Sequence, residues 1–278
     1  MGIFQKTQTS FAASESVPPV KEGFNITIAF ANQKGGVGKT TSAVNTAAFL
    51  AKNGRRVLLV DDDPQGNATS GLGISKKNIQ NSLYDVMISG AKASDAVVKT
   101  SVDGLSAIPS GIDLVGAELE LVNAPRREYR IKDAVAELKN QFEYIIIDAP
   151  PSLGLLSINA LCASDRVIIP VLCEYYSLEG LTQLMNSINL VKKMYNADLS
   201  VLGILINMYD GRLNLTFQVL SELKKHFADK LFATPIPRNV KLSEAPSFGV
   251  PISVYDRYSK GALAYEALAR EVIKRAEN

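Results

Sequence analysis

The segment Lys34-Gly35-Gly36-Val37-Gly38-Lys39-Thr40 leaves this chain the fewest choices of fold. Ahead of it, Ile26–Asn32 (ITIAFAN) is a β-branched and apolar run suited to a buried parallel strand. Behind it, the stretch from Thr40 to about Asn53 has a helical pattern, with Gly54 placed as the C′ glycine. A glycine-rich turn between strand and helix lets backbone N–H groups close around phosphate oxygens, aided by the helix dipole. In such a loop Lys39 reaches the β- and γ-phosphates and the Thr40 hydroxyl coordinates Mg²⁺. The predicted nucleotide contacts are Gly35, Gly36, Val37, Gly38, Lys39, Thr40 and Thr41.

Two apolar runs end in carboxylates, and both belong with this loop. Val57–Asp61 (VLLVD) leads into Asp62-Asp63-Pro64-Gln65-Gly66-Asn67, and Tyr144–Asp148 (YIIID) leads into Ala149-Pro150-Pro151. Residues at the carboxyl ends of parallel strands face the ligand crevice. Carboxylates there can hold Mg²⁺ or position water for attack on a γ-phosphate. Asp148 ends a strand of the form whose carboxylate holds the metal. Asp62 is expected to point away as a surface charge.

Further strands are predicted at Leu105–Pro109, Arg166–Leu172, Val201–Asn207 and, more weakly, Ala233–Ile236. Helices are predicted at Leu178–Tyr195, with apolar positions 181, 184, 188 and 191, at Asn214–Ala228 and at Gly261–Ala276. Alternating strands and helices imply an α/β fold, a doubly wound and mostly parallel sheet with helices on both faces. With 278 residues, no repeat and no internal linker, the chain reads as one domain over residues 25–278. Residues 1–24, rich in Ser, Thr, Gln and Pro, read as a flexible extension.

The phosphate loop departs from the usual pattern, because Gln33 stands at the first glycine and Lys34 is an additional lysine. Lys-Gly-Gly-x-Gly-Lys-Thr resembles the deviant Walker A motif of the superfamily of ParA, MinD and the nitrogenase iron protein. Asp-Asp-Asp-Pro-Gln-Gly-Asn is similar to the ParA switch I, and IIIDAPPSLG to its switch II. The stretches M-Y-D-x-R (208–212), I-P-R-N-V-K-L-S-E-A-P (236–246) and C-E-Y-Y-S-L-E-G-L (173–181) also resemble ParA proteins, so the likeness runs from about Ile26 to the C-terminus. This resemblance implies an ATPase of the deviant Walker A type acting in DNA partition, with ATP and Mg²⁺ as ligands. It implies a homodimer with ATP between the protomers and Lys34 reaching across. It assigns catalysis to Lys34, Lys39 and Asp63, the last orienting water, and metal binding to Thr40, Asp61 and Asp148. Asn207 and the Pro237–Arg238 region would line the adenine pocket. The dimer would bind nonspecific double-stranded DNA and be released when a ParB-type partner stimulates hydrolysis, giving a cytoplasmic, nucleoid-associated protein.

The net charge of +2 carries no general signature of nucleic-acid binding, so any DNA contact must be local. Between Arg212 and Lys241 lie six basic residues (Arg212, Lys224, Lys225, Lys230, Arg238, Lys241) against Glu222 and Asp229, enough to meet phosphates without reading bases. By the resemblance, Arg212 and Lys241 are the DNA-contact candidates. Solvated surface charge is the alternative for each.

Other readings stay open. A MinD-like ATPase shares the loop, but here apolar positions 264, 265, 268, 272 and 273 suit packing on the domain, so no stable membrane association is expected. An electron-transfer relative needs cysteines that hold an iron–sulfur cluster, whereas Cys162 and Cys173 read as reduced, buried thiols. A cargo-positioning scaffold could carry the same loop. His226, the single histidine, lies beside Phe227 and reads as structural.

Overall fold

A computed structural model describes residue 19, residues 21–175 and residues 177–277. Most of the predicted 1–24 extension lies outside the described residues. Its end is packed: the Phe24 ring lies 5.6 Å from that of Tyr144, and Lys21 Nζ donates to the Glu277 carbonyl at 3.2 Å.

The strands are β1 (Ile26–Phe30), β2 (Val57–Asp61), β3 (Val98–Lys99), β4 (Leu105–Ile108), β5 (Tyr144–Asp148), β6 (Arg166–Leu172) and β7 (Ser200–Asn207). They form one sheet in the order β3-β4-β2-β5-β1-β6-β7, parallel except for the β3–β4 pair. The helices in chain order are α1 (Lys39–Lys52), α2 (Asn67–Gly71), α3 (Leu114–Glu120), α4 (Arg130–Ala136), α5 (Leu155–Ala163), α6 (Ser177–Met194), α7 (Asn214–Phe227), α8 (Val240–Glu244), α9 (Ile252–Tyr255) and α10 (Lys260–Glu277).

Both sheet faces are covered, which is why the strands are apolar at nearly every position. Ile28, Phe30, Val57, Leu59 and Ile146 pack with Ala47, Leu50, Leu268 and Val272 on the α1–α10 face. Ala29, Leu58, Val60, Ile145 and Ile147 pack with Leu156, Leu184 and Leu223 on the other. Each fully buried Leu or Ile contributes about 1.5–3 kcal/mol. The predicted stripe Leu181, Leu184, Ile188 and Val191 is the buried face of α6. In α10, Tyr265, Leu268, Val272 and Ile273 are buried, as the packing reading expected. No described helix is long and apolar enough to cross a membrane.

Ala233–Ile236 is not a strand. Phe232 N–H donates to Ile204 and Ile236 N–H to Ile206, but Pro235 and Pro237 have no N–H with which to extend the ladder. Only isolated bridges, Ile204↔Leu231 and Tyr209↔Pro237, remain. The antiparallel edge strand β3 spans two residues, too short to leave a period in the sequence.

Register decides where the site lies. Asp148 pairs in register with Phe30 on one side and with Asp61 on the other. The ends of β1, β5 and β2 therefore stand side by side beneath the loop that opens α1.

Candidate functional site

Gly38 is the N-cap of α1 with φ +84°, and no side chain caps the helix. The first N–H groups of α1 therefore point outward as donors for an anion. A Cβ at Gly38 would come 2.7 Å from Asn207 Nδ2, so backbone geometry and space both require glycine. Asn32, two residues past the end of β1, braces the loop from behind. Its Oδ1 accepts from Lys34 N–H at 3.0 Å and its Nδ2 donates to the Pro170 carbonyl at 2.7 Å.

Lys39 is buried, and its ammonium donates to the Lys34 carbonyl at 3.1 Å. Burial pushes its pKa below the ordinary lysine value, while Asp148 and Asp63 pull it back. Lys34 is different, with its side chain 44% exposed and its ammonium paired with Glu174. Glu174 lies 140 residues away in sequence and carried no local signal there.

The acidic residues separate by strand alternation. Asp61 and Asp148 are buried in register. Asp61 Oδ2 accepts from the N–H and the hydroxyl of Thr69, both at 2.7 Å. Burial raises the Asp61 pKa to about 6, against the pull of those hydrogen bonds. Asp148 has both oxygens buried without a hydrogen bond of good geometry. Burial and the neighbouring Asp61 hold its pKa well above the carboxylate range, with the Thr40 hydroxyl and Lys39 acting in the opposite direction. Asp63 Oδ1 accepts from Gln65 N–H at 2.9 Å, and its carbonyl accepts from the Ser110 hydroxyl at 2.8 Å.

Asp62 corrects the surface-charge expectation. It is fully buried, neither oxygen has a hydrogen-bond partner, and its pKa lies well above normal because of burial and the neighbouring carboxylates. One residue past Asp61, its side chain takes the parity of Leu58 and Val60, whose face α3 and α5 cover. Sequence could not show that this turn is roofed over.

The orphaned Asp148 carboxylate beside the Thr40 hydroxyl fits a magnesium ion. No group of three or more His, Cys, Asp or Glu among the described residues could hold a metal. A magnesium ion here would therefore complete its shell with phosphate and water oxygens, as that ion usually does.

Beside the loop, a cavity of about 450 Å³ brings together Gly38, Thr41, Asn207, Pro237 and Arg238, with Tyr265 at its wall. Asn207 Nδ2 donates to the Val37 carbonyl at 2.8 Å and to the Ser42 hydroxyl at 3.0 Å. Its donors serve the loop, and its buried Oδ1 is the atom without a partner. An asparagine amide can both donate and accept; here Oδ1 is the group left to meet a ligand.

The two DNA-contact candidates lie outside this cluster. Arg212 is 88% exposed and forms a bidentate pair with Asp210, at 2.8 and 2.6 Å. Lys241, on α8, pairs with Glu244 at 2.9 Å and stands 5.5 Å from the Tyr255 ring centroid. The Tyr209↔Pro237 bridge ties the turn before Arg212 to the connection before Lys241. His226 is exposed and pairs with Glu222 at 3.6 Å, so it supports no core. Cys162 is buried, Cys173 half-buried, and both are free thiols.

A family model described as an AAA domain matches residues 25–201. The sporulation initiation inhibitor protein Soj of Bacillus subtilis is 57% identical over 245 residues, covering 88% of this chain and 97% of Soj. The chromosome partitioning protein ParA of Myxococcus xanthus is 52% identical over 248 residues, covering 89% of this chain and 88% of ParA. Among solved structures, cobyrinic acid a,c-diamide synthase of Mycobacterium smegmatis, with a bound ATP analogue and magnesium, superposes with a TM-score of 0.79. It is 39% identical, and the match covers 88% of this chain and 92% of that one. The chain belongs to the ParA/Soj family of partitioning proteins, magnesium-dependent P-loop ATPases.

Proposed function

We propose that residues 25–278 form one ATPase domain that partitions DNA, as a dimer that binds duplex DNA without sequence preference when ATP is bound. The observation that carries this reading is the buried, unpartnered Asp148 carboxylate between β1 and β2, under Lys39 and Thr40, in a chain 57% identical to Soj. Lys39 neutralises β- and γ-phosphate charge, and its burial strengthens that interaction. Thr40, Asp61 and Asp148 hold the metal. Magnesium, when bound, neutralises charge between the β- and γ-phosphates. Asp63 orients the attacking water, and the 450 Å³ cavity takes the base, with Asn207 Oδ1 accepting from an exocyclic amine.

Lys34 is half exposed and reaches the nucleotide of the second protomer after leaving Glu174. Arg212 and Lys241, exposed and on segments joined by a bridge, meet DNA phosphates. A ParB-type partner stimulates hydrolysis and releases the complex, which makes the protein nucleoid-associated while ATP is bound. The name of the M. smegmatis structure carries a different chemistry, but the identities to Soj and ParA are higher at 57% and 52% against 39%.

The test is binding to random-sequence duplex DNA with ATP, with ADP and without nucleotide. Tight, salt-sensitive binding with ATP alone, abolished by Arg212→Glu while dimerisation survives, is the expected result. Intact dimerisation with no DNA binding in any nucleotide state would move the output to a protein or membrane cargo.

A further inference from the structure

Two glycines far apart in sequence meet backbone to backbone. Gly73 follows α2 with φ +75°, and Gly249 follows α8 and the turn 245–248 with φ +65°. A Cβ on Gly73 would stand 2.7 Å from the Gly249 carbonyl oxygen, and a Cβ on Gly249 would stand 2.8 Å from Gly73 Cα. The obstacle on each side is main chain, so relief requires one segment to move away from the other.

Each segment is tied to a functional end. On one side, Asp61 Oδ2 holds α2 through the N–H and hydroxyl of Thr69 at 2.7 Å. Gly73 N–H returns to Ser70 at 3.0 Å and Ile74 N–H to Thr69 at 3.1 Å, so Gly73 moves with α2. On the other side, Gly249 N–H bonds Pro246 at 3.1 Å, and the preceding Glu244 pairs with Lys241 at 2.9 Å. Asn45 of α1 anchors the far end through Ile252 N–H at 2.8 Å.

We propose that the Gly73–Gly249 contact is a coupling joint that carries the state of the β2 acidic turn to the segment bearing Lys241. This rests on the reading that Lys241 meets DNA. Glycine at both positions lets the two main chains touch without an intervening side chain. If Asp61 were to release Thr69 to help hold a metal, the resulting displacement of α2 would be passed directly to residues 240–248.

Hydrogen–deuterium exchange over residues 240–248, with and without MgATP, reads the coupling in the absence of DNA. MgATP should slow exchange there by about fivefold or more in the wild-type chain. In Gly249→Ala the response should fall below about twofold, while affinity for a fluorescent ATP analogue stays within about threefold of wild type. Gly54→Ala is the control, because Gly54 shares the positive φ (+80°) but has nothing within 4 Å of a Cβ, and it should respond as wild type does. If Gly249→Ala does not fold, Gly73→Ala tests the contact from the other side, and the wild-type response stands as a test by itself. An unresponsive 240–248 segment in the wild-type chain, or an undiminished response in the folded Gly249→Ala or Gly73→Ala protein, overturns the joint. Wild-type protein that binds duplex DNA in no nucleotide state overturns the DNA reading instead, so the two failures are distinguished.

Discussion

Asp148 illustrates how a single residue can be placed at the expense of the fold. Its carboxylate is buried, without a hydrogen bond of good geometry, beside a second carboxylate in register. Asp148→Asn should stabilise the nucleotide-free protein by about 1–3 kcal/mol, because it removes a carboxyl whose ionised form is penalised by burial and by Asp61. The same change should erase the rise in melting temperature that MgATP produces over ATP with a chelator. A lower melting temperature without nucleotide would contradict this account. Asn207→Ala removes donors to the Val37 carbonyl and the Ser42 hydroxyl. It should lower stability by about 1–3 kcal/mol and weaken ATP binding, measured by calorimetry, because the loop loses its brace. Unchanged ATP affinity would show that the loop is braced elsewhere.

Helix α6 separates packing from exposure along one element. Leu184 is buried on the sheet face, whereas Leu190 is 57% exposed. Leu184→Ala should cost about 2–5 kcal/mol in urea unfolding, and Leu190→Ala less than about 0.5 kcal/mol. Equal losses would mean that the helix is held otherwise than by its apolar stripe. The stripe itself was legible, since a 3.6-residue period survives in sequence over eighteen residues. Helices α2, α3, α4, α5, α8 and α9 were not. α2 is five residues long, and α5 (LLSINALCA) is apolar nearly all round, so neither shows an amphipathic period.

For the whole molecule, the segments of Arg212 and Lys241 are joined through the Tyr209↔Pro237 bridge. If both meet phosphates, each charge removed should reduce the slope of log K against log salt by about 0.9. Arg212→Ala with Lys241→Ala should therefore lose about 1.8 per protomer in the ATP state, measured by fluorescence anisotropy. A slope unchanged from wild type would assign both residues to solvated surface charge.

The fold class, the strand-to-helix phosphate loop and the acidic ends of β2 and β5 were all readable from the chain alone. They are local: a buried strand needs an apolar run, a phosphate-cradling turn needs glycines, and both are written in consecutive residues. Which strands became neighbours was not local. The register of Asp148 between Phe30 and Asp61, the burial of Asp62, the Glu174 partner of Lys34 and the meeting of Gly73 with Gly249 all join residues far apart in sequence. Asp62 makes the difference plain: expected to point away as a surface charge, it is removed from water by the helices packed over the end of β2.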